Sequence, residues 1–481
     1  MNVSSGNRFT LRSLFAIFAL MATTDPRILE TEDVRKLLFK FAVPAIITTL
    51  SVSLYNVVDR IFIGQGAGAM AISGLALTFP IMTLIQAFGT LVGVGASSRI
   101  SIVLGMKDKA RAERILGTSV VLTLLIWAVI TVLSMVFLRP LLHLFGGSEQ
   151  TMPYAVTYLQ IIIPGSVLSN FTFSFGNIIR AAGSPKKNMI IMLIGVGCNL
   201  VLDPLFIFGF GMGIRGAAWA TVLSMFVSAC FTMQYFLSPK SYIQLKRQNI
   251  RIKWHIVQDI VSIGLSPFLM NAAACVVNII LNNRLYAYGG DLAIGANGII
   301  NSYAILFVMF TLGLCHAMQP IVGYNFGAAR MDRVRQTLFL SIRVATAITL
   351  FGFICMEGMP GVLASLFTQD ETLIDITKTG MRFVFALFPF VGFQIVTGNY
   401  FQSIGKISLS IFLSLTRQVL FLIPALYVCS GLWGLDGVWA ATTTADTLSV
   451  IVAFILLTAH LRRHPIAGGT GQSIIRKPWK N

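Results

Sequence analysis

The sequence predicts an all-α membrane protein with twelve transmembrane helices arranged in two six-helix lobes. Of the 481 residues, 56% are hydrophobic and only 11% are charged, whereas soluble proteins carry about 25% charged residues. The mean hydropathy is +0.79, and the apolar residues form runs of about 20, long enough to cross the hydrocarbon layer as helices. This composition excludes a disordered chain and a small disulfide-stapled domain.

Helices are expected in these apolar runs because a lipid environment leaves no backbone polar group without a partner. Lys and Arg follow every even-numbered run, whereas the opposite loops carry mostly acidic residues, so both chain ends are expected in the cytoplasm. The net charge of +18 is thereby explained by membrane topology, and no nucleic-acid partner is expected. The predicted spans are 37–58, 75–97, 115–138, 154–178, 188–210, 216–236, 256–281, 292–320, 338–358, 381–402, 408–430 and 437–460.

An internal repeat divides the chain into two parallel halves. One constant shift along the sequence aligns Asn56 with Asn278, Gly105 with Gly327, and Gly183 with Gly405. Six helices per half give both copies the same orientation, and transport sites lie between or within such halves. The predicted organisation is a leader (1–30, with 1–20 an upstream extension before a start at Met21), an N-lobe (31–236), a cytoplasmic linker (237–253), a C-lobe (254–461) and a basic tail (462–481).

Two carboxylates in the N-lobe are predicted to form a polar site, because a charged Asp inside a membrane is costly and marks function. Asp59 lies about 34 Å along the first helix and Asp203 about 24 Å along the fifth, both in the outer half of the membrane. Spacings of four residues place Tyr55 with Asp59, and Asn199 with Asp203, on shared helix faces. Thr221, in the sixth helix, lies at the same level.

The residues of this site are suited to either of two coupling ions, a proton or a sodium ion. Two carboxylates close together in a low dielectric repel each other, which favours the uptake of a proton. The oxygens of Asp59, Asn199, Asp203 and Thr221 are also suited to a sodium ion. A structural alternative is that Asp59 ends the first helix at the interface beside Arg60, while Asp203 makes only a local hydrogen bond before Pro204.

Further polar residues lie inside the predicted helices. Arg417 and Asp446 lie at equal depth in adjacent antiparallel helices, which predicts a buried ion pair. Such a pair resists opening, which favours a structural clamp over the alternative, a direct part in coupling. Asn177 and Asn278 are candidate substrate-lining residues. The sequence contains no HExxH, GxSxG or P-loop motif, so neither an enzyme nor an ATP-driven pump is expected and no cofactor is required.

The motifs that recur along the chain resemble those of the MATE (multidrug and toxic compound extrusion) family, in its bacterial DinF/MepA-like branch. The resemblance runs from about Leu37 to Leu461. It is carried by FAVPAIITTLSVSLYNVVDRIFIG at 40–64, GVGASSRISIVLGMKDKARAERILG at 93–117, NIIRAAGSPKKNM at 177–189 and NLVLDPLFIFGFGMGIRGAAWAT at 199–221.

The resemblance implies a cation-coupled antiporter that exports amphipathic, often cationic compounds. We expect it to act as a monomer in the bacterial inner membrane. The resemblance also implies that Asp59, Asn199, Asp203 and Thr221 handle the coupling ion. Family members with a sodium site in the C-lobe carry acids in the seventh and tenth helices. We expect no acid of this kind in 256–281 and 381–402, which favours protons. The alternatives are a flippase for lipid-linked oligosaccharides and a membrane-embedded transferase.

Overall fold

The computed structural model describes residues 25–144 and 149–463, and all regular elements within them are helices. The predicted extension 1–20, the alternative start at Met21 and the tail beyond Arg463 lie outside the described residues. The main helices are α1 (Val34–Ala67), α2 (Ala69–Gly105), α3 (Lys109–Val136), α4 (Met152–Ala181), α5 (Pro185–Pro204), α6 (Gly213–Leu237), α7 (Trp254–Gly327), α8 (Met331–Gly358), α9 (Glu371–Phe385), α10 (Phe388–Ser403), α11 (Ile407–Leu415) and α12 (Ile423–Arg463).

These helices account for twelve membrane passes. Gly290, with φ +62°, divides the 74 residues of α7 into two passes, and Gly434, with φ +60°, divides α12 in the same way. The first part of α12 continues α11 through a π-helical turn, Thr416–Leu422. Helices α9 and α10 together make one pass that is bent by 49°. The predicted fold class is therefore confirmed.

The bent pass differs from the straight helix that was predicted over 381–402. Its first helix begins at Glu371, where the Asp370 side chain accepts a hydrogen bond from the Leu373 backbone N–H at 3.1 Å. Its second helix begins at Phe388 with Pro389 in the first turn. Proline has no N–H to continue the hydrogen-bond ladder of a preceding helix. This explains why the pass bends there.

Backbone conformations recur in the two halves at positions related by the repeat. Lys107 and Ala329, which the shift aligns, have φ of +62° and +59°, values that are uncommon for residues other than glycine. Gly183 and Gly405 have φ of +87° and +71°. The turns that join corresponding helices are thus built in the same way, as expected for a duplicated unit.

The two halves share one core at one end of the bundle and have separate cores at the other. We call the end that carries residues 238–253, between α6 and α7, the linker face, and the other end the opposite face. The largest buried cluster combines residues of both halves near the linker face, such as Leu37, Val103, Ile260 and Leu457. Near the opposite face, buried residues cluster within one half at a time.

The contact between the halves at the linker face contains two related backbone crossings. A Cβ on Gly105 would lie 1.9 Å from the carbonyl oxygen of Tyr324, and a Cβ on Gly327 would lie 1.9 Å from that of Ile102. Ile102 and Tyr324 are themselves aligned by the same shift between the halves. The ends of α2 and α7 therefore approach so closely that only glycine fits at the crossings.

Substitution of Gly105 by Ala is expected to destabilise the protein by about 1–3 kcal/mol, because overpacking forces the backbones apart. The measurement is the melting midpoint of the purified protein in detergent. Gly298→Ala is the matched control, since nothing lies within 4 Å of its Cβ position. Equal melting midpoints for the two variants would contradict the crossing.

Candidate functional site

The predicted N-lobe site is assembled from α1, α5 and α6 near the opposite face. Asp59 (5% exposed), Asn199 (2%), Asp203 (0%) and Thr221 (3%) are all buried. The Asn199 side-chain amide donates to Asp203 Oδ1 at 3.2 Å and approaches Thr221 Oγ1 at 3.5 Å. The carboxyl groups of Asp59 and Asp203 lie within hydrogen-bonding reach of each other. The structure thus brings these four residues together.

A tyrosine of α1 and one of α4 complete the site. The hydroxyl groups of Tyr55 and Tyr158 both lie within hydrogen-bonding reach of Thr221. Tyr158 is 6% exposed and belongs to the buried cluster that joins α1, α2, α4 and α6 at this end. Sequence reasoning found Tyr55 and missed Tyr158, since no acidic residue four positions away marks it in α4.

Small residues and a proline explain how the helices reach this geometry. Gly195, two turns before Asp203 on the same face, allows close approach to α6, because a Cβ there would lie 2.1 Å from Ser228 Oγ. Asp203 immediately precedes Pro204, where α5 ends and a π-helical turn, Leu205–Gly209, follows. The helix therefore ends in a distorted turn directly beside the buried carboxylate.

The site holds buried oxygen atoms whose bonding capacity is not used within the described residues. Asp59 Oδ1, Asn199 Oδ1 and Asp203 Oδ2 have no hydrogen-bond partner there. Unpaired buried polar groups are costly and call for an explanation such as a bound ion. A proton shared by the two carboxyl groups would relieve this cost. A sodium ion would also fit, since the three atoms are hard oxygen donors.

The structural alternative for Asp59 does not agree with this geometry. The first helix was predicted to end at 58, but α1 continues for two more turns to Ala67. Asp59 is therefore inside the helix, and its side chain is buried rather than placed at a helix end in the interface. Arg60, the neighbour invoked in that alternative, lies over the Phe79 ring at 5.9 Å.

The other predicted residues lie apart from this site. Arg417 Nε is 2.5 Å from Asp446 Oδ1 in the C-terminal half, and Asp446 is 3% exposed. Asn177 is buried, donates to the Phe173 carbonyl at 2.9 Å and accepts from Arg180. Asn278 is exposed on α7 before Gly290. The two asparagines are thus not neighbours of the acidic pair, and a substrate-lining role remains a prediction.

An ion pair that the sequence did not suggest joins the two halves at the linker face. Arg99 on α2 lies 2.9 Å from Asp259 on α7, and the Arg99 side chain is only 3% exposed. Asp259 falls within 256–281, so the expectation that this span carries no acid was wrong. Gln319 adds hydrogen bonds from α7 to Ser98 and Ser97 on α2 at 2.6 and 3.2 Å.

A bundle of membrane-spanning helices in two repeated halves, with a buried acidic pair in one half, is the architecture of a secondary transporter. The MatE family model matches residues 44–205 and 264–428, which is more than half of the chain. The chain therefore belongs to the MatE family and is a multi-pass membrane transporter, not an enzyme.

Proteins of known name and structure agree with this assignment. The multidrug export protein MepA of Staphylococcus aureus is 26% identical over 433 residues, covering 89% of this chain and 94% of its own. A MOP superfamily transporter from Pyrococcus furiosus superposes with a TM-score of 0.85 at 25% identity, covering 92% of this chain and 99% of its own. An outward-facing multidrug resistance MATE transporter gives a TM-score of 0.85 at 24% identity and equal coverage.

Proposed function

We propose that the protein is a proton-coupled antiporter that exports amphipathic, often cationic organic compounds from a bacterial cell. The observation that carries this proposal is the contact of Asp59 with Asp203, two buried carboxyl groups on different helices. The names of the MepA relatives support small organic molecules as cargo. The linker face is assigned to the cytoplasm, together with both chain ends, because the basic loops lie there.

The coupling follows from the charge of the acidic pair. When both carboxyl groups are ionised, they repel each other and attract a cation that comes close to them. Uptake of a proton from outside removes one negative charge and weakens that attraction, so the cationic cargo is released. A ligand shifts a conformational equilibrium only through its different affinities for the two states. Cargo and proton satisfy this condition by competing for the same negative charge.

Alternating access is supported by the uneven packing of the two halves. At the linker face they share one core and are joined by the Arg99–Asp259 ion pair. At the opposite face each half has its own core. With the linker face in the cytoplasm, this arrangement corresponds to a transporter that is closed on its cytoplasmic side. We propose that the two halves separate at the linker face and approach each other at the opposite face to open the cytoplasmic side.

The test uses ethidium uptake by everted membrane vesicles under separately imposed gradients. Export from the cell becomes uptake into these vesicles, so an acidic lumen is expected to drive ethidium accumulation. A sodium gradient of equal size, with the pH gradient collapsed, is expected to drive none. Uptake driven only by sodium would contradict proton coupling and leave antiport intact. Uptake that persists with both gradients collapsed would contradict antiport.

A further inference from the structure

The segment between α6 and α7 is held firmly against α3. Lys246 Nζ lies 2.7 Å from Glu113 Oε2, and Thr118 Oγ1 donates to the Arg251 carbonyl at 3.1 Å. A Cβ on Gly117 would lie 2.2 Å from the Asn249 carbonyl oxygen, so the two backbones touch. We call residues 246–254 the strap, because these contacts fix it across the side of α3.

The strap lies at the level where α3 enters the membrane. Residues 115–120 of α3 are all buried, although six consecutive residues face every direction around a helix. The strap covers the side that would otherwise face lipid. The first exposed apolar residues of α3 are Leu124 and Leu125, at 47% and 48%. Gly117 lies about 12 Å from the start of α3 and about 10 Å before Leu124, so the strap crosses α3 just on the linker-face side of its exposed apolar surface. This is the level at which we place the interfacial layer of the membrane.

The outer surface of the strap combines apolar and basic side chains. Ile250, Ile252 and Trp254 are 39%, 46% and 70% exposed. They alternate with Arg251 and Lys253, and alternation of this kind places one set on one face of an extended chain. The ion pairs among the described residues include neither Arg247 nor Arg251, and both side chains are exposed. The strap therefore exposes an apolar row on one side, and the arginines that no ion pair neutralises lie on its other side and just before it.

We propose that the strap binds the headgroup of an anionic phospholipid in the cytoplasmic leaflet. Basic clusters directly cytoplasmic of a membrane helix attract anionic lipids, and the guanidinium fork matches the geometry of a phosphate group. Trp254 favours the headgroup level, where its ring meets lipid and its N–H meets water. The isoleucines contact the upper part of the acyl chains. This site is independent of the ion and cargo chemistry of the acidic pair.

The first experiment measures the preference of the full-length protein for phosphatidylglycerol over phosphatidylcholine, using spin-labelled lipids in reconstituted membranes. The double variant R247Q/R251Q is expected to lower this preference about tenfold. The control is R462Q/R463Q, which removes two exposed arginines from the same face of the membrane, at the end of α12. Equal losses in both variants would show a diffuse electrostatic effect and overturn the site.

The second experiment uses tryptophan fluorescence to find whether Trp254 lies in the membrane or in water. Its signal is the difference between the emission of the wild type and that of the variant Trp254→Phe. Lipids brominated near the headgroup are expected to quench this difference signal more strongly than iodide added to the aqueous phase. Stronger quenching by iodide would place the strap in water and overturn the proposal. So would displacement of spin-labelled phosphatidylglycerol by millimolar inorganic phosphate, because the site would then be a general anion site.

Discussion

Asp203→Asn is expected to lower proton-driven ethidium transport by about 5- to 150-fold, the range that a coupling free energy of 1–3 kcal/mol covers. The substitution keeps the shape of the side chain and an oxygen that can accept from Asn199. It removes the charge that proton and cargo share in the proposed mechanism, so we expect that neither then affects the affinity for the other. Asp59→Asn is expected to have the same effect, since the two carboxyl groups act as one unit.

The matched control is Asp436→Asn, which removes an exposed acid near the opposite face and is expected to leave transport unchanged. Folding is checked separately through the melting midpoint. Loss of a buried charge is expected to leave this midpoint unchanged or to raise it, because burial of an ionised carboxylate opposes folding. Normal driven transport by Asp203→Asn, in a folded protein, would remove the acidic pair from the mechanism.

Asp259→Asn is expected to favour opening of the linker face. Loss of one partner from a buried ion pair costs several kcal/mol, but Asp259 is one-fifth exposed, so we expect roughly 2 kcal/mol. That corresponds to a shift of about 30-fold in the equilibrium. The measurement is the distance between spin labels at Ala110 and Asp332, two exposed positions in corresponding turns, with the native cysteines replaced.

The repeat itself supplies a rescue variant for this experiment. Under the shift that aligns the two halves, Arg99 corresponds to Ile321 and Asp259 to Leu37, and both of these are fully buried in the shared core. The double variant R99I/D259L is therefore expected to restore the closed distance, since an apolar pair can replace a buried ion pair. Asp375→Asn, in an exposed pair with Lys378, is the control. An unchanged distance in Asp259→Asn would contradict the role of the pair.

Much of the fold followed from local signals in the sequence. Apolar runs of sufficient length predicted the twelve passes, because the membrane imposes the same requirement on each helix separately. The bend before Phe388 was not predicted, since the apolar residues continue on both sides of it. The end of α1 was placed too early because Asp59 and Arg60 interrupt the apolar run. Burial of Asp59 by α4, α5 and α6 allows that helix to continue.

The candidate site was partly predictable for a similar reason. Depth in the membrane is a one-dimensional quantity, so counting residues from the basic loops placed Asp59 and Asp203 at one level. Contacts between helices depend on packing in the other two dimensions. For this reason Tyr158 and the Arg99–Asp259 pair were not predicted, although the residues of that pair are both charged. Binding of an ion or of cargo by Asp59 and Asp203 stays a prediction.

The glycine crossings at Gly105 and Gly327 close the linker face through contact between backbones. With no side chain between them, the halves cannot lie closer there, and a separation of a few ångströms would remove the contact completely. Helix α2 has 37 residues, about 55 Å, and its other end belongs to the buried cluster that includes Tyr158. We therefore expect a tilt of α2 by a few degrees about its middle to part the crossing and to shift the helix beside the acidic pair at the same time.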